Sequence, residues 1–177
     1  MKYILCPFIA LLITTAAYAQ SSDNTSWKPE FSAKAFISIF HGSYELTAGA
    51  RIGDNVFGLG SGYGREFWDA YPAHVRKLPF YAFYRRYVPL GTKRRFLMFG
   101  EVTLGGEYAY KITGSFMPGK EDMANPFWNC RATVTPGVAL RLFGNTNIYL
   151  APTAEIVGRS KITDLMPGAT LGVNVGF

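Results

Sequence analysis

The stretch Trp128-Asn129-Cys130-Arg131-Ala132-Thr133-Val134-Thr135-Pro136-Gly137-Val138-Ala139-Leu140-Arg141-Leu142 decides how the rest of the chain reads. Its even positions (Trp128, Cys130, Ala132, Val134, Pro136, Val138, Leu140, Leu142) make an apolar face. Its odd positions are small, hydroxylated or charged: Asn129, Arg131, Thr133, Thr135, Gly137, Ala139 and Arg141. A period of two marks an extended strand, because successive side chains point to opposite faces.

The same alternation recurs from Phe31 to the C-terminus. Tyr44, Leu46, Ala48, Ala50 and Ile52 oppose Glu45, Thr47 and Arg51, and Phe96, Met98, Val102 and Leu104 oppose Glu101, Thr103 and Glu107. At the end, Leu171, Val173, Val175 and Phe177 oppose Thr170, Asn174 and glycines. Eight strands are predicted, at 31–40, 44–52, 56–65, 78–88, 96–108, 128–142, 147–157 and 165–177. The fourth is apolar and aromatic on both faces and carries adjacent Arg85 and Arg86, which leaves its register open. The second, fourth and sixth connections are compact, whereas Glu66 to Lys77 and Ala109 to Phe127 make long loops. His41 to Ser43 forms a very short connection, and both histidines, His41 and His74, fall in predicted loops.

The N-terminus carries a separate message. Lys2 precedes the almost wholly apolar run Tyr3 to Ile13, and Ala17-Tyr18-Ala19 supplies the small-x-small pattern of a signal-peptidase site. Residues 1–19 therefore read as a signal peptide, 20–30 as a short periplasmic segment and 31–177 as one barrel domain. Removing Lys2 from the 18 basic residues leaves 17 against 12 acidic ones, a net charge of +5. In an exported chain, anionic lipid headgroups account for that excess better than nucleic acid does. Cys130 is the one cysteine after the signal, so no internal disulfide can form.

Beyond the signal no run of roughly 18 apolar residues offers a transmembrane helix. Strands can cross a bilayer only in a closed barrel, where every backbone group is paired. Three features favour lipid over water outside this barrel. Lys34 is the one lysine after the signal that sits inside a predicted strand. The polar stripe mixes Gly, Thr and Ala with charges of both signs, as a narrow lumen requires. Aromatic residues gather at the strand ends: Phe40, Tyr44, Tyr63, Tyr108 and Trp128 at the loop end, and Phe31, Tyr87 and Phe177 at the turn end. The expected fold is all-β: a closed, antiparallel, eight-stranded transmembrane barrel with both termini on the periplasmic side.

On the Ala17-Tyr18-Ala19 site, the rhythm of strands and loops, and the ending Leu171-Gly172-Val173-Asn174-Val175-Gly176-Phe177, the chain after the signal resembles the small eight-stranded outer-membrane barrels of the OmpX-like and OmpA-barrel-like kind. The resemblance implies a Gram-negative-type outer membrane. It also implies that Val173, Val175 and Phe177 belong to a signal read by the barrel-assembly machinery. It names no activity, and the expectation departs from the OmpA type in having no peptidoglycan-binding domain after Phe177.

Motifs with chemical meaning are few. Gly58, Gly60, Gly62 and Gly64 fail the G-x-G-x-x-G spacing, because the required positions hold Tyr63 and Arg65. They instead bare one strand face, so that bulky residues from across the lumen can approach the wall. No Cys or carboxylate spacing around His41 or His74 resembles a metal site, and no cofactor is expected. His41 with Ser38 or Ser43 offers hydrolase residue types without a supporting motif. Lys34, Arg51, Arg131 and Arg141 can meet Glu45, Glu101, Glu107 and Glu155 inside one lumen, with Arg85 as a fifth cation. An eight-stranded interior is only wide enough for side chains to fill it. Near-balance of charge is then required, and the expected interior is a plugged network.

A non-enzymatic outer-membrane protein follows, serving envelope structure or surface interaction. The long loops would contact a surface ligand through Phe67, Trp68, Tyr71 and Phe116. The alternatives are a narrow pore and a lipid-modifying enzyme. The basic loop-end residues Arg65, Arg76, Lys77, Lys111, Lys120, Arg159 and Lys161 offer contacts to lipopolysaccharide phosphates. Deleting Phe177, or replacing it with Asp, is expected to reduce assembled protein in cells far more than refolding into detergent. Equal losses in the two assays would reduce its role to packing.

Overall fold

The structure, a computed structural model, describes residues 27–38, 41–67, 74–92, 95–113, 126–159 and 162–177. Eight strands follow in chain order: β1 (Lys28–Ser38), β2 (His41–Ile52), β3 (Asn55–Phe67), β4 (His74–Leu90), β5 (Phe96–Thr113), β6 (Phe127–Phe143), β7 (Asn145–Arg159) and β8 (Ile162–Gly176). Each pairs antiparallel with its chain neighbours, and β1 pairs with β8 from Glu30↔Gly176 to Ser38↔Gly168, which closes the barrel. The signal peptide and Trp68, Tyr71 and Phe116 lie outside the described residues. Phe67 ends β3.

Most strands outrun the lengths read from the sequence. β4 and β5 reach well into the two long connections, and β2 begins at His41 rather than Tyr44. The physical reason is that alternation reports which face is apolar, not where pairing stops. At the loop end the outward positions turn polar, as at Arg65 and Arg76, while the ladder continues through Arg65↔Arg76 and His41↔Glu66.

The turn end is tight. Gly53, Gly91 and Gly144 each adopt a positive φ there, 60°, 69° and 52°, a region that L side chains rarely enter. One ladder is interrupted where two facing prolines each remove a donor. Pairing of β6 with β7 skips from Val134↔Ala154 to Val138↔Leu150 around Pro136 and Pro152. Inside that gap, the hydroxyls of Thr135 and Thr153 meet at 3.2 Å.

The fourth strand resolves as Tyr81, Phe83, Arg85 and Tyr87 inward, all buried, with Arg86 exposed outside. Tyr87 is therefore no member of the turn-end girdle. It shares a face with Arg85 two positions earlier, and its hydroxyl donates to Glu30 at 3.0 Å inside the barrel. With Val56, Leu97, Phe99, Ala139 and Tyr149 it fills the lumen toward the turn end.

These rings need room, and glycine provides it. A Cβ on Gly60 would lie 2.4 Å from the Tyr81 ring, and one on Gly172 would lie 2.4 Å from the Tyr149 ring. Gly60↔Tyr81 and Gly172↔Tyr149 are directly paired across neighbouring strands. The bare stripe thus receives rings from the adjacent strand rather than from across the lumen, because a ring leaning along the wall leaves the axis to the charged side chains. Gly172→Val is expected to destabilise the barrel by about 1–3 kcal/mol through overpacking. Adding Tyr149→Ala should restore part of the loss, as read by unfolding in detergent.

Candidate functional site: the charged lumen

Inward positions on every strand are set by the same alternation that puts apolar residues outside. At mid-barrel they place carboxylates and cations a few ångströms apart in a space closed to water. Lys34 Nζ lies 2.7 Å from Glu101 and 3.3 Å from Glu45. Arg131 reaches Glu45 at 2.8 Å and also pairs with Glu155. Arg85 pairs with Glu101, its Nε donating at 2.8 Å, and meets Glu30 at 3.1 Å. Glu30 in turn lies 3.5 Å from Arg51. At the loop end, His41 Nδ1 stands 3.4 Å from Glu155.

The result is one continuous zigzag: Arg51, Glu30, Arg85, Glu101, Lys34, Glu45, Arg131, Glu155 and His41. Signs alternate along it from Arg51 to Glu155, so Glu30, Glu101 and Glu45 each touch two cations, while Glu155 touches Arg131 and lies beside the His41 ring. Such alternation is how a low-dielectric interior tolerates ionised groups, since an unpaired charge there is very unfavourable. Neutral partners complete the shell. Arg85 also donates to Asn174 at 2.8 Å and Ser32 at 3.1 Å, and the Tyr81 hydroxyl donates to Glu45 at 2.7 Å. Lys34 sits 4.8 Å above the Tyr81 ring and Arg51 4.9 Å above that of Tyr87. On the β5–β8 wall, hydroxyls pair instead: Thr103 with Thr133 at 2.7 Å and Thr153 with Thr170 at 2.6 Å.

Of the lumen residues read from the sequence, Lys34, Glu45, Arg51, Glu101, Arg131 and Glu155 come together in this chain. Glu107 stands apart, bound by Lys77 and, at 2.8 Å, by the Asn129 amide. Arg141 faces inward at the turn rim, half-buried, and its Nε has no hydrogen-bond partner among the described residues. Of the five inward cations read from the sequence, Lys34 and Arg85 are the partners of Glu101. Register decides this, since Arg85↔Glu101 are directly opposed on β4 and β5.

Three residues sit elsewhere than expected. His41 is not in a solvated loop but 2% exposed at the start of β2, stacked edge-on against Phe36. Lys77 is not a rim cation; it is buried between Glu66 and Glu107. Glu30, read as part of the segment before the barrel, belongs to β1. In each case the two-residue parity of an accepted strand extends past its expected end: two steps from Lys34 to Glu30, two from Glu45 to His41, and four from Arg85 to Lys77. Val173 and Phe177 are exposed outside and Val175 is half-buried. Phe177 packs edge-on against Phe31, and its amide donates to Pro29 at 3.1 Å. The Ser38 hydroxyl bonds the His41 backbone and that of Ser43 donates to Glu45 at 2.9 Å. Among the described residues no group of three or more His, Cys, Asp or Glu side chains is placed to hold a metal ion.

A closed eight-strand cylinder with charged side chains inside and apolar ones outside has counterparts among solved structures. The N-terminal β-barrel domain of Pseudomonas aeruginosa OprF aligns with a TM-score of 0.52 at 14% identity, over 86% of this chain and 100% of that one. Neisserial surface protein A gives 0.52 at 14% identity, over 88% and 100%. The outer membrane enzyme PagL gives 0.49 at 13%, over 82% and 98%. The fold is that of the small eight-stranded outer-membrane barrels. No protein-family model matches the sequence, and no curated protein sequence matches it.

Glu101→Ala is expected to leave Lys34 and Arg85 undercompensated and to destabilise the barrel by about 3–5 kcal/mol. Adding Lys34→Met should recover part of that loss. Adding Arg141→Met should recover none, with unfolding in detergent or lipid as the measurement.

Proposed function

We propose that this chain is an integral protein of a Gram-negative-type outer membrane, reached after export through a cleaved signal peptide. We further propose that it acts without catalysis, with a plugged lumen, in envelope structure or in surface contacts made by its long loops. The observation that carries the reading is the inversion of the barrel. Leu46, Leu59, Leu150 and Leu165 are each at least 60% exposed around the outside, while Glu101, Arg85 and Glu155 are at most 2% exposed inside. A soluble monomer rarely presents apolar patches beyond a few hundred Å². A bilayer makes the same surface favourable, and closure gives every strand a paired neighbour on each side.

Rings at both ends support a membrane setting. Tyr108 and Trp128 stack at 4.9 Å toward the loop end, and Phe31 and Phe177 meet at the turn end. Amphipathic and aromatic side chains favour the two interfaces. The plugged reading is supported by the ion-pair chain and the apolar cluster beneath it, since an ion would have to break both to pass. The non-catalytic reading is supported by His41, whose imidazole is buried in the lumen against Phe36 and Glu155, on the side of the wall away from lipid. Outer-membrane lipids, including lipopolysaccharide, and the barrel-assembly machinery are the proposed partners; the surface ligand is a separate matter for the loops.

Folded protein should migrate differently from boiled protein on a denaturing gel and fractionate with outer membranes. In planar bilayers it should pass no sustained current. Recovery as a soluble periplasmic species would overturn the membrane reading, and steady conductance would overturn the plug.

A further inference from the structure

The ion-pair chain is neutral as a whole, because Arg51, Arg85, Lys34 and Arg131 balance Glu30, Glu101, Glu45 and Glu155. Further basic residues stand beyond it at the turn-end mouth of the lumen. Lys28 opens β1 with the inward parity of Glu30, and Arg141 lies on the inward face of β6. Arg95 precedes β5 with the parity of the buried Leu97 and Phe99. Lys28 and Arg95 are exposed and Arg141 is half-buried. Among the described residues none of these three forms an ion pair, either with Asp54 in the turn after β2 or with the α-carboxylate of Phe177.

Strand pairing builds this excess of positive charge into the rim. Lys28 is directly opposite Arg51, and like charges opposed on neighbouring strands repel one another. Arg51 donates through Nε to the Gly53 carbonyl at 3.0 Å and through Nη1 to Glu30 at 3.5 Å, and neither bond uses Nη2. Arg141 is opposite Asn147, where the β6–β7 register shifts, and its backbone amide donates to the Arg95 carbonyl at 2.8 Å. A bulge at a barrel rim re-aims side chains. Arg141 Nε is buried without a hydrogen-bond partner among the described residues, and so is Oδ1 of Asn147, a residue with 0% exposure. Buried polar atoms of a native fold are paired almost without exception, so two unpaired ones on facing residues mark a place for a ligand.

We infer that the turn-end mouth binds inorganic phosphate or a phosphate monoester, held by Lys28 and Arg51 from one wall and by Arg95 and Arg141 from the other. In the closed order of strands, β1 and β2 stand opposite β5 and β6, so the two pairs approach from facing sides. The guanidinium fork matches phosphate oxygens in two-point hydrogen bonds. A phosphate that keeps one proton also supplies a donor for Asn147 Oδ1, which a carboxylate or a lipid phosphodiester does not. Beneath the mouth, Tyr87, Leu97 and Tyr149 belong to the apolar cluster that fills the lumen. The anion therefore enters and leaves on the same side. The site needs only the closed barrel and its inward parity; the periplasmic setting of this end belongs to the membrane reading above.

The test uses the folded barrel in an uncharged detergent at fixed ionic strength, with inorganic phosphate as the probe and isothermal titration calorimetry as the readout. Wild type should bind phosphate, and Arg141→Gln should weaken binding roughly tenfold, the loss expected for one charge-assisted hydrogen bond. Arg95→Gln, at an exposed side chain, should weaken it as well, and serves alone if Arg141→Gln does not give the heat-dependent gel shift of a folded barrel. Arg86 is exposed on the outer face, opposite the first residue of β3. Arg86→Gln removes the same charge from the outside of this end and should leave binding unchanged. No binding by wild type, or equal binding by wild type, Arg141→Gln and Arg95→Gln, would overturn the site while leaving the membrane reading intact. Displacement of phosphate by equimolar acetate would overturn its selectivity for phosphate. In nanodiscs, loss of phosphate binding when phosphatidylglycerol replaces phosphatidylcholine would overturn the soluble ligand and give the mouth to a lipid headgroup.

Discussion

Closure of β8 onto β1 is the constraint from which the rest of this barrel follows. A hydrocarbon surround offers no partner to an open strand edge, so each backbone amide and carbonyl must find its partner within the sheet. Eight strands closed in this way enclose a space that side chains fill. The inner face is therefore a core, and its content is bound by core rules: close packing and no lone charge. The outer face is released from those rules, and in the proposed membrane setting lipid replaces water as its solvent.

Within that core the work is divided along the axis. The turn end is packed by rings and aliphatic side chains, several of them seated on directly opposed glycines. The middle is filled by the alternating ion-pair chain centred on Arg85, which is 0% exposed. An arginine suits this position because its five donors lie in one rigid plane. Arg85 spends them on two carboxylates, a hydroxyl and an amide drawn from β1, β5 and β8. One side chain thereby ties together three strands, including the pair that closes the cylinder.

The outer face carries the other half of the protein's character. Its apolar belt and end rings change in order along the barrel axis, as the proposed passage from hydrocarbon to headgroup requires. Inside and outside are coupled by parity alone. Shifting any strand by one residue would drive its charges into lipid and its leucines into the lumen, so each ion pair also holds register.

Much of this was legible in the residues. Alternation identified eight strands and gave the inward face of Lys34, Glu45, Glu101, Arg131 and Glu155, because in a strand the side-chain direction is set by position parity and needs no knowledge of neighbours. Strand ends were less legible: His41, Glu30 and Lys77 lay just past the point where the outward residues stop being apolar, although pairing continued. In β4, apolar residues on both faces hid the inward setting of Arg85 and Tyr87. What the sequence by itself determined was therefore local: which residues share a face, and that the two faces need opposite solvents. Only the tertiary structure decided which carboxylate meets which cation. Arg85 meets Glu101 through the register of neighbouring strands. Lys34 with Glu101, Arg85 with Glu30 and Arg131 with Glu45 depend instead on the stagger between strands far apart in the chain, and that stagger is set when β8 pairs with β1.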